Sequence, residues 1–448
     1  MRKVLIANRG EIARRIIRTC KAHGIATVAV YSDADRNMPF VREADEALHI
    51  GPPPVPHSYL NVEAIIAAAK QSGADAVHPG YGLLSENEAF ARRVRDEGLV
   101  FIGPTPEVIG QMGDKLTARK LMKQAGVPVV PGSEQAIATA DEAAALAAEF
   151  GYPVMLKASA GGGGIGMQIC REEAELHQAF QTARNRAKAY FGNDDMYVEK
   201  YVEKPRHIEV QIAADQHGKV IHLLERECSI QRRHQKVIEE SPSPFLDDAL
   251  REQLCQAAVR AGEAVGYTGV GTVEFIVDQE KHFYFLEMNT RLQVEHAVTE
   301  EMIGMDLVAL QLEIASGKPL TIRQDDVKAV RHAIELRVYA EDPVSFLPSP
   351  GTITLYQAPR LDDVRIDDGV ESGTQVTPFY DPMIAKVIAS GATRQAAIER
   401  AREAIGQYMI TGIKTNIPFL LDVLQDEQFV QGNYTTWFVQ ERMSKTVK

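Results

Sequence analysis

The sequence predicts a fold that is α/β at its start and α+β further on, and three observations predict it. From Val4 to Ile102, short apolar runs alternate with amphipathic helical stretches, the pattern of a parallel sheet with helices on both faces. A second region sets two strand-like runs, Tyr152–Lys157 and Met167–Cys170, on either side of a glycine cluster. From Arg331 onward an alternating strand leads to shorter strands and then a helix. A length of 448 residues suggests roughly three domains at about 150 residues each. The expected divisions are 1–114, 115–330 and 331–448.

The elements follow in order. Val4–Ala7 is the first strand. Asn8, with Glu11 three places later, has the form of a capping box. Ile12, Ile16, Ile17 and Cys20 mark one face of the next helix, with Arg14, Arg15 and Arg18 off it. Gly24 closes that helix and Thr27–Tyr31 is a strand. A helix around Val62–Gln71 ends at Gly73, and Ala74–His78 is a strand. A helix near Asn87–Glu97 and a strand Leu99–Ile102 complete the unit. No G-x-G-x-x-G follows the first strand, which argues against a dinucleotide site there. His78–Glu86 stands where open α/β sheets bind ligands. It reads either as a site-lining loop or as a Pro/Gly turn with Ser85 as a cap. Pro104, Pro106, Gly110 and Gly113 mark a boundary, and Leu116–Ala125 is helical.

The glycine run Gly161–Gly164 matches G-x-G-x-x-G in form, with Gly161, Gly163 and Gly166. A dinucleotide fingerprint opens a helix, whereas Met167–Cys170 has the character of a returning strand. Strand, glycine loop and strand are the parts that cover phosphates with backbone N–H groups, although a plain surface hairpin has the same look. Lys157, just before the loop, favours the phosphate reading. Met196–Val202 alternates as a strand. In an extended Glu225–Lys236 segment, Arg232, His234 and Lys236 would share one face as a cationic stripe for an anion, or simply be solvated. Arg331–Ala340 alternates, with Ile334, Leu336 and Val338 on one side and Glu335, Arg337 and Tyr339 on the other. A helix is expected around Arg394–Ile405.

The most informative stretch is Gly271–His296. Thr272–Val277 and His282–Leu286 are β-like runs close enough to pair as a hairpin, and each carries one glutamate against an apolar neighbour, Glu274 and Glu287. Glutamate is depleted in strands, and burying its charge is costly without a partner. Glu287, Asn289, Arg291, Gln293 and Glu295 then recur at every second position, so an extended chain would show them on one wall, with Met288, Leu292 and Val294 opposite. Two carboxylates and an amide oxygen are hard ligands suited to Mg²⁺, with room for substrate phosphates.

Composition narrows the function classes. Hydrophobic residues make up 45% and charged residues 25%, so a large core is available. A net charge of -12 argues against nucleic acid and anionic membranes as partners. Four cysteines, Cys20, Cys170, Cys228 and Cys255, form no C-x-x-C, which disfavours zinc and points to a reduced compartment, the cytoplasm. The opening apolar run is too short for a signal peptide, and no run approaches a membrane span.

Six motifs taken together carry a resemblance: I-A-N-R-G-E-I-A at Ile6–Ala13, H-P-G-Y-G-L-L-S-E at His78–Glu86, M-G-D-K at Met112–Lys115, Q-R-R-H-Q-K at Gln231–Lys236, E-M-N-T-R-L-Q-V-E-H at Glu287–His296, and R-V-Y-A-E-D-P at Arg337–Pro343. They resemble the ATP-grasp superfamily and, more closely, biotin carboxylases, over nearly the whole chain. The resemblance implies a Rossmann-like N-terminal domain, an ATP-grasp domain with a glycine-loop lid subdomain at about 132–203, and a mixed C-terminal domain.

It also implies roles. Lys115 and Lys157 would hold ATP phosphates beneath Gly163 and Gly164. Glu199, Lys200, Tyr201 and Val202 would line the adenine pocket, with His207, Gln231 and His234 also on the nucleotide. Glu274, Glu287 and Asn289 would bind two Mg²⁺ (or Mn²⁺) ions. Lys236, Arg291 and Val294 would hold bicarbonate, Glu295 would be the general base, and Arg337 would steady biotin. Two positions depart from the family's pattern: Ile165 stands where a basic residue is common, and Ala297 where proline is common.

No Met-Lys-Met biotin-attachment site is present, so biotin is expected on a biotin carboxyl carrier protein. The chain is then expected to be the separate subunit of a multi-subunit carboxylase, acetyl-CoA carboxylase in the first place and another acyl-CoA carboxylase as the alternative, and a homodimer that serves carboxyltransferase subunits. The rival classes are another ATP-grasp carboxylate ligase, a nucleotide-binding subunit without turnover, and a dehydrogenase.

Overall fold

The computed structural model describes residues 1–159 and 167–446. Five parallel strands form the N-terminal sheet: β1 (Lys3–Ile6), β2 (Ala26–Ser32), β3 (Glu46–Gly51), β4 (Ala76–His78) and β5 (Val100–Phe101), in the order β3-β2-β1-β4-β5. The order reverses direction between β1 and β4, and such a switch point opens a crevice at the carboxyl ends of the strands. Strand β3 was not anticipated, because E-A-L-H-I-G is half-exposed and lacks a clean apolar run. The helices start where short polar side chains accept a backbone N–H: Asn61 from Ala64, Asn87 from Phe90 and Thr105 from Val108.

Helix α1 (Gly10–Ala22) does not use the expected capping box. Its cap position is Arg9, with no side-chain cap bond. The Asn8 amide instead donates to the carbonyls of Pro79 (2.7 Å) and Tyr81 (2.8 Å), tying the end of β1 to the His78–Glu86 loop. Gly80 makes that approach possible: its φ is +63°, and a Cβ there would lie 2.8 Å from the Asn8 amide nitrogen. Glu11 is buried and accepts a hydrogen bond from the Tyr81 hydroxyl rather than serving the helix end.

A small antiparallel sheet, β6 (Val154–Ala158), β7 (Gln168–Cys170) and β8 (Met196–Lys200), lies against helices Ala140–Phe150 and Glu173–Phe191. The expected return strand is β7. This unit encloses its own core around Ile137, Ala147, Leu156, Phe180 and Val198.

The large sheet has eight strands, all antiparallel to their neighbours. Six are β9 (Arg206–Ala214), β10 (Val220–Arg232), β11 (Gln235–Ser241), β12 (Gly269–Val277), β13 (Phe283–Asn289) and β14 (His332–Tyr339). The order is β13-β12-β9-β10-β11-β14, followed by strands Met383–Gly391 and Val364–Asp368. Every residue of β9 and β14 is buried, so any charge on them needs a partner.

The predicted cationic stripe does not exist as a stripe. Arg233 and His234 take left-handed conformations, with φ of 51° and 66°, and turn the chain from β10 into β11. Arg232 is thereby carried off to Glu341 and the Phe346 ring, while Lys236 faces the other strands' carboxylates.

One core joins the two ends of the chain. Ile12, Ile16 and Cys20 of α1 belong to the same buried cluster as Leu336 and Val338 of β14, Val387, and Ala401 and Ile405 of helix Arg394–Gln407. Ion pairs seal the contact: Arg15 meets Glu300 (2.6 Å) and Asp306 (2.8 Å), and Arg18 meets Asp367 (2.7 Å). Among the described residues, no helix is long and apolar enough to cross a membrane.

Candidate active site

A cavity of about 1260 Å³ opens where the N-terminal loops, the small sheet, the large sheet and the C-terminal helix meet. Tyr81, Gly82 and Leu83 line it, which settles the His78–Glu86 loop as a site-lining segment. Glu86 of the same loop accepts from Arg291 Nε (2.8 Å) and from the Thr290 N–H (3.1 Å).

The predicted hairpin is β12 and β13, and its register sets Glu274 directly opposite Glu287. The strand ends at Asn289, so the wall expected to be one extended run is half strand and half bend. The polar side chains nonetheless stay together, because they bond to one another. Asn289 and Gln293 each donate an amide N–H to Glu274 Oε1 at 2.9 Å. Arg291 donates to Asn289 Oδ1 (2.9 Å) and Gln293 Oε1 (3.2 Å). Val294, expected on the opposite face, lines the cavity instead.

Lys236 is the hub of the anion end. Its ammonium contacts Glu209 (2.5 Å), Glu295 (2.6 Å) and Glu274 (2.9 Å). Arg337 donates to Glu295 Oε2 (2.9 Å) and also pairs with Glu239. Burial opposes the charge of Glu295, but Lys236 and Arg337 outweigh it and hold the carboxyl below the ordinary range. Glu274 is held well below that range in the same way by Lys236 and His207. Glu209 and Arg226, both fully buried and paired with each other, underpin the hub and were not picked out from the sequence. The alternation of His207, Glu209 and Gln211 in R-H-I-E-V-Q is the signal that could have found Glu209.

The nucleotide-side residues are less fully paired. Lys157 on β6 reaches across to Glu199 on β8, which also accepts from Arg119 (3.1 Å). Lys200 donates to the carbonyls of Gly151 (2.9 Å) and Tyr152 (3.0 Å), and Tyr201 and Val202 line the cavity beside it. His207 bonds to Gln231 through Nδ1 (2.7 Å) and faces Glu274 through Nε2 (2.9 Å). His234 is exposed at the cavity rim. Gly163, Gly164 and Ile165 lie outside the described residues.

Lys115 opens helix Lys115–Gln124 and borders the cavity. Among the described residues it has no ion-pair partner within 4 Å. Burial, which outweighs the pull of Glu287, lowers its pKa. Glu287 likewise has no hydrogen-bond or ion-pair partner among the described residues. Burial and the adjacent Glu274 charge raise its pKa. Two facing carboxylates, one of them unpartnered, are a hard-oxygen donor set that a divalent cation would complete. The residues present therefore fit the metal expected at Glu274, Glu287 and Asn289.

Family models match nearly the whole chain in three blocks: the biotin carboxylase N-terminal domain at residues 1–109, the ATP-binding domain of the carbamoyl-phosphate synthase L chain at 114–323, and the biotin carboxylase C-terminal domain at 335–441. The chain is 57% identical to biotin carboxylase 2 of Bacillus subtilis, with 98% of this chain and 99% of that protein covered. Its fold matches a biotin carboxylase–beta-gamma-ATP complex from Campylobacter jejuni with a TM-score of 0.96 at 46% identity, covering 98% of both chains. It also matches the biotin carboxylase domain dimer of 2-oxoglutarate carboxylase from Hydrogenobacter thermophilus, in complex with MgADP, ADP and bicarbonate. There the TM-score is 0.95 at 47% identity, covering 98% of this chain and 97% of that one.

Proposed function

Since the chain belongs to the biotin carboxylase family and is an ATP-dependent ligase, we propose that it uses ATP and bicarbonate to carboxylate biotin carried on a biotin carboxyl carrier protein. The reaction would be the first half-reaction of acetyl-CoA carboxylase, on the way to malonyl-CoA and fatty acids. The observation that carries this reading is the Lys236–Glu295–Arg337 cluster, a base between two cations at the closed end of a cavity large enough for a nucleotide.

Lys115 and Lys157, with Gly163 and Gly164, are assigned to the phosphates. Glu199 to Val202 are assigned to adenine, and His207, Gln231 and His234 to the rest of the nucleotide. Lys236, Arg291 and the Val294 backbone hold bicarbonate. Held at Glu274, Glu287 and Asn289, Mg²⁺ or Mn²⁺ would neutralise phosphate charge as it shifts during phosphoryl transfer.

Glu295 is ionised in the free protein because its two cations hold it so. Bicarbonate competes for the same cations, which weakens that hold and makes Glu295 a better base. Glu295 takes the bicarbonate proton as a bicarbonate oxygen bonds to the γ-phosphorus and ADP leaves. The resulting carboxyphosphate separates into CO₂ and phosphate. The phosphate takes the N1 proton of biotin, and the N1 electron pair attacks CO₂. Arg337 faces the ureido oxygen, where negative charge gathers. Water would destroy carboxyphosphate, so the small-sheet subdomain, about 132–203, is assigned the role of a closing lid. Its separate core supports that reading.

The cytoplasm is the proposed compartment, supported by four buried cysteines that form no disulfide. A homodimer, served by carboxyltransferase subunits, is the proposed assembly. The test is ATP-dependent fixation of radiolabelled bicarbonate with free biotin, then with candidate carrier proteins. ATP turnover that ignores bicarbonate and biotin but responds to an amino acid would overturn the proposal.

A further inference from the structure

Two buried carboxylates behind the site have no part in the chemistry above. Glu239 on β11 and Glu335 on β14 stand directly opposite each other in the sheet register. Both are 0% exposed, and all four of their oxygens lack a hydrogen bond of acceptable geometry. The neighbour on β11 shows what a satisfied carboxylate looks like in this sheet. Glu240 accepts from Arg394 (2.7 and 2.9 Å), from His332 (2.7 Å) and from the Tyr434 hydroxyl. Glu239 has one charged contact, the Arg337 guanidinium, and it is made to Nη2, the same nitrogen that meets Glu295.

The charges around the pair can be counted element by element. From β14, Arg337 faces Glu239. From the bend after β13, Glu295 shares that arginine. Lys236 and Cys228 lie within electrostatic reach on β11 and β10. From strand Met383–Gly391, Lys386 lies 3.9 Å from Glu335, but it is committed elsewhere: it donates to the Val294 carbonyl (2.5 Å) and lies 3.5 Å from Glu11 of α1. Arg337 and Lys386 are thus spread over four buried carboxylates, Glu239, Glu295, Glu335 and Glu11, while Lys236 is taken up by Glu209, Glu274 and Glu295. Full ionisation of all four would leave uncompensated buried charge. Burial pushes Glu239 up to about 7 and Glu335 well above the ordinary carboxylate range.

We propose that Glu239 is a positioning residue for the biotin half-reaction: ionised, it shares Arg337 Nη2 with Glu295 and so fixes the guanidinium plane that meets biotin, while Glu335 opposite it is kept as the neutral acid. A neutral Glu335 leaves the Arg337 guanidinium to two carboxylates, Glu239 and Glu295. An ionised Glu335 would add a third pull on it. This inference rests on the assignment of Arg337 to biotin. The same residue pair also lies one strand from the Lys386–Val294 bond, so the biotin-facing and bicarbonate-facing groups are braced by one buried layer.

The experiment measures kcat/KM for free biotin against pH, beside bicarbonate-dependent ATP hydrolysis without biotin. In the wild type, biotin carboxylation gains an acid limb as Glu239 loses its proton near pH 7, and the biotin-free reaction does not. Glu239→Gln removes that limb and lowers kcat/KM for biotin about tenfold on the alkaline side, and Glu239→Asp restores part of both. Infrared spectra show a protonated buried carboxylic acid in the wild type that Glu335→Gln removes. A Glu239→Gln protein that keeps the wild-type limb overturns the inference, and so does an infrared band that survives Glu335→Gln. The infrared result stands if Glu239→Gln fails to fold. If Arg337→Ala leaves kcat/KM for biotin intact, the underlying assignment falls, and this inference with it. A loss in Arg337→Ala alongside an unchanged Glu239→Gln limb overturns the inference alone.

Discussion

The two ends of the cavity are built on opposite plans. At the anion end, Lys236 touches three carboxylates and Arg337 two, all on strands of the large sheet and its following bend. At the metal and phosphate end, Glu287 and Lys115 have no ion pair within 4 Å among the described residues, and their pKa values move toward their neutral forms. The first end is complete without ligand. The second is left in want of charge that a triphosphate and its cation would bring. Preorganised dipoles and charges stabilise a transition state best when they need no rearrangement, so the end with its charges already fixed is the one proposed to do proton and carboxyl chemistry.

Four effects break or sharpen that contrast. The largest effect is expected at the complete end. Glu295→Ala or Arg291→Ala should cut biotin carboxylation about a thousandfold or more while ATP still binds, measured by fixation of labelled bicarbonate beside nucleotide titration. Loss of nucleotide affinity and of the fold in both variants would remove the catalytic assignment. Next comes stability without ligand. Glu295→Gln takes one charged partner from each of Lys236 and Arg337, leaving them Glu209, Glu274 and Glu239, and should cost about 2 kcal/mol in thermal or denaturant unfolding. Glu287→Gln relieves a like-charge neighbour, so it should leave the free protein as stable or slightly more so. A Glu287→Gln protein as damaged as Glu295→Gln would erase the distinction between the ends.

The third effect concerns ligand demand. Glu287→Gln should raise the Mg²⁺ concentration needed for half-maximal ATP turnover about tenfold, and Glu295→Gln should leave that concentration unchanged. The smallest is a pH effect remote from the cavity. Burial raises Glu240, but hydrogen bonds and charge from His332 and Arg394 override it and hold it down to about 2, below its usual 4.5. A depressed carboxylate stabilises the fold above its unfolded pKa, and that stability is lost as pH falls through the folded value. The stability gap between wild type and Glu240→Gln should therefore be full above pH 4.5 and close as pH falls toward 2. A gap that stays constant over that range would show that the Glu240 partners do not favour its charge.

Much of this was legible in the sequence where local pattern and final surroundings agreed. The alternation of strands and helices gave the N-terminal sheet, and Gly73 and Asn87 bounded helices as expected. The paired glutamates Glu274 and Glu287 came out opposite each other because period-two alternation survives in a hairpin. The failures share one cause, which is that side chains answered to partners distant in the chain. Asn8 was drawn from a cap to the carbonyls of Pro79 and Tyr81. Arg232 was lost from its supposed stripe because a tight turn intervened. Glu239 and Lys386 carry no local signal, since only sheet register brings them behind Arg337 and Val294.

The buried layer that joins α1 to the strands beyond residue 330 has a further consequence, for the making of the protein. The apolar stripe of α1 leaves the ribosome early and meets Val4, Ile6 and Phe40 of its own domain, but its remaining packing partners are not synthesised until Leu336, Val387 and Ile405 have emerged. A nascent N-terminal domain must therefore keep part of that stripe uncovered through most of translation. Such long-range closure makes folding slow and leaves the growing chain open to association.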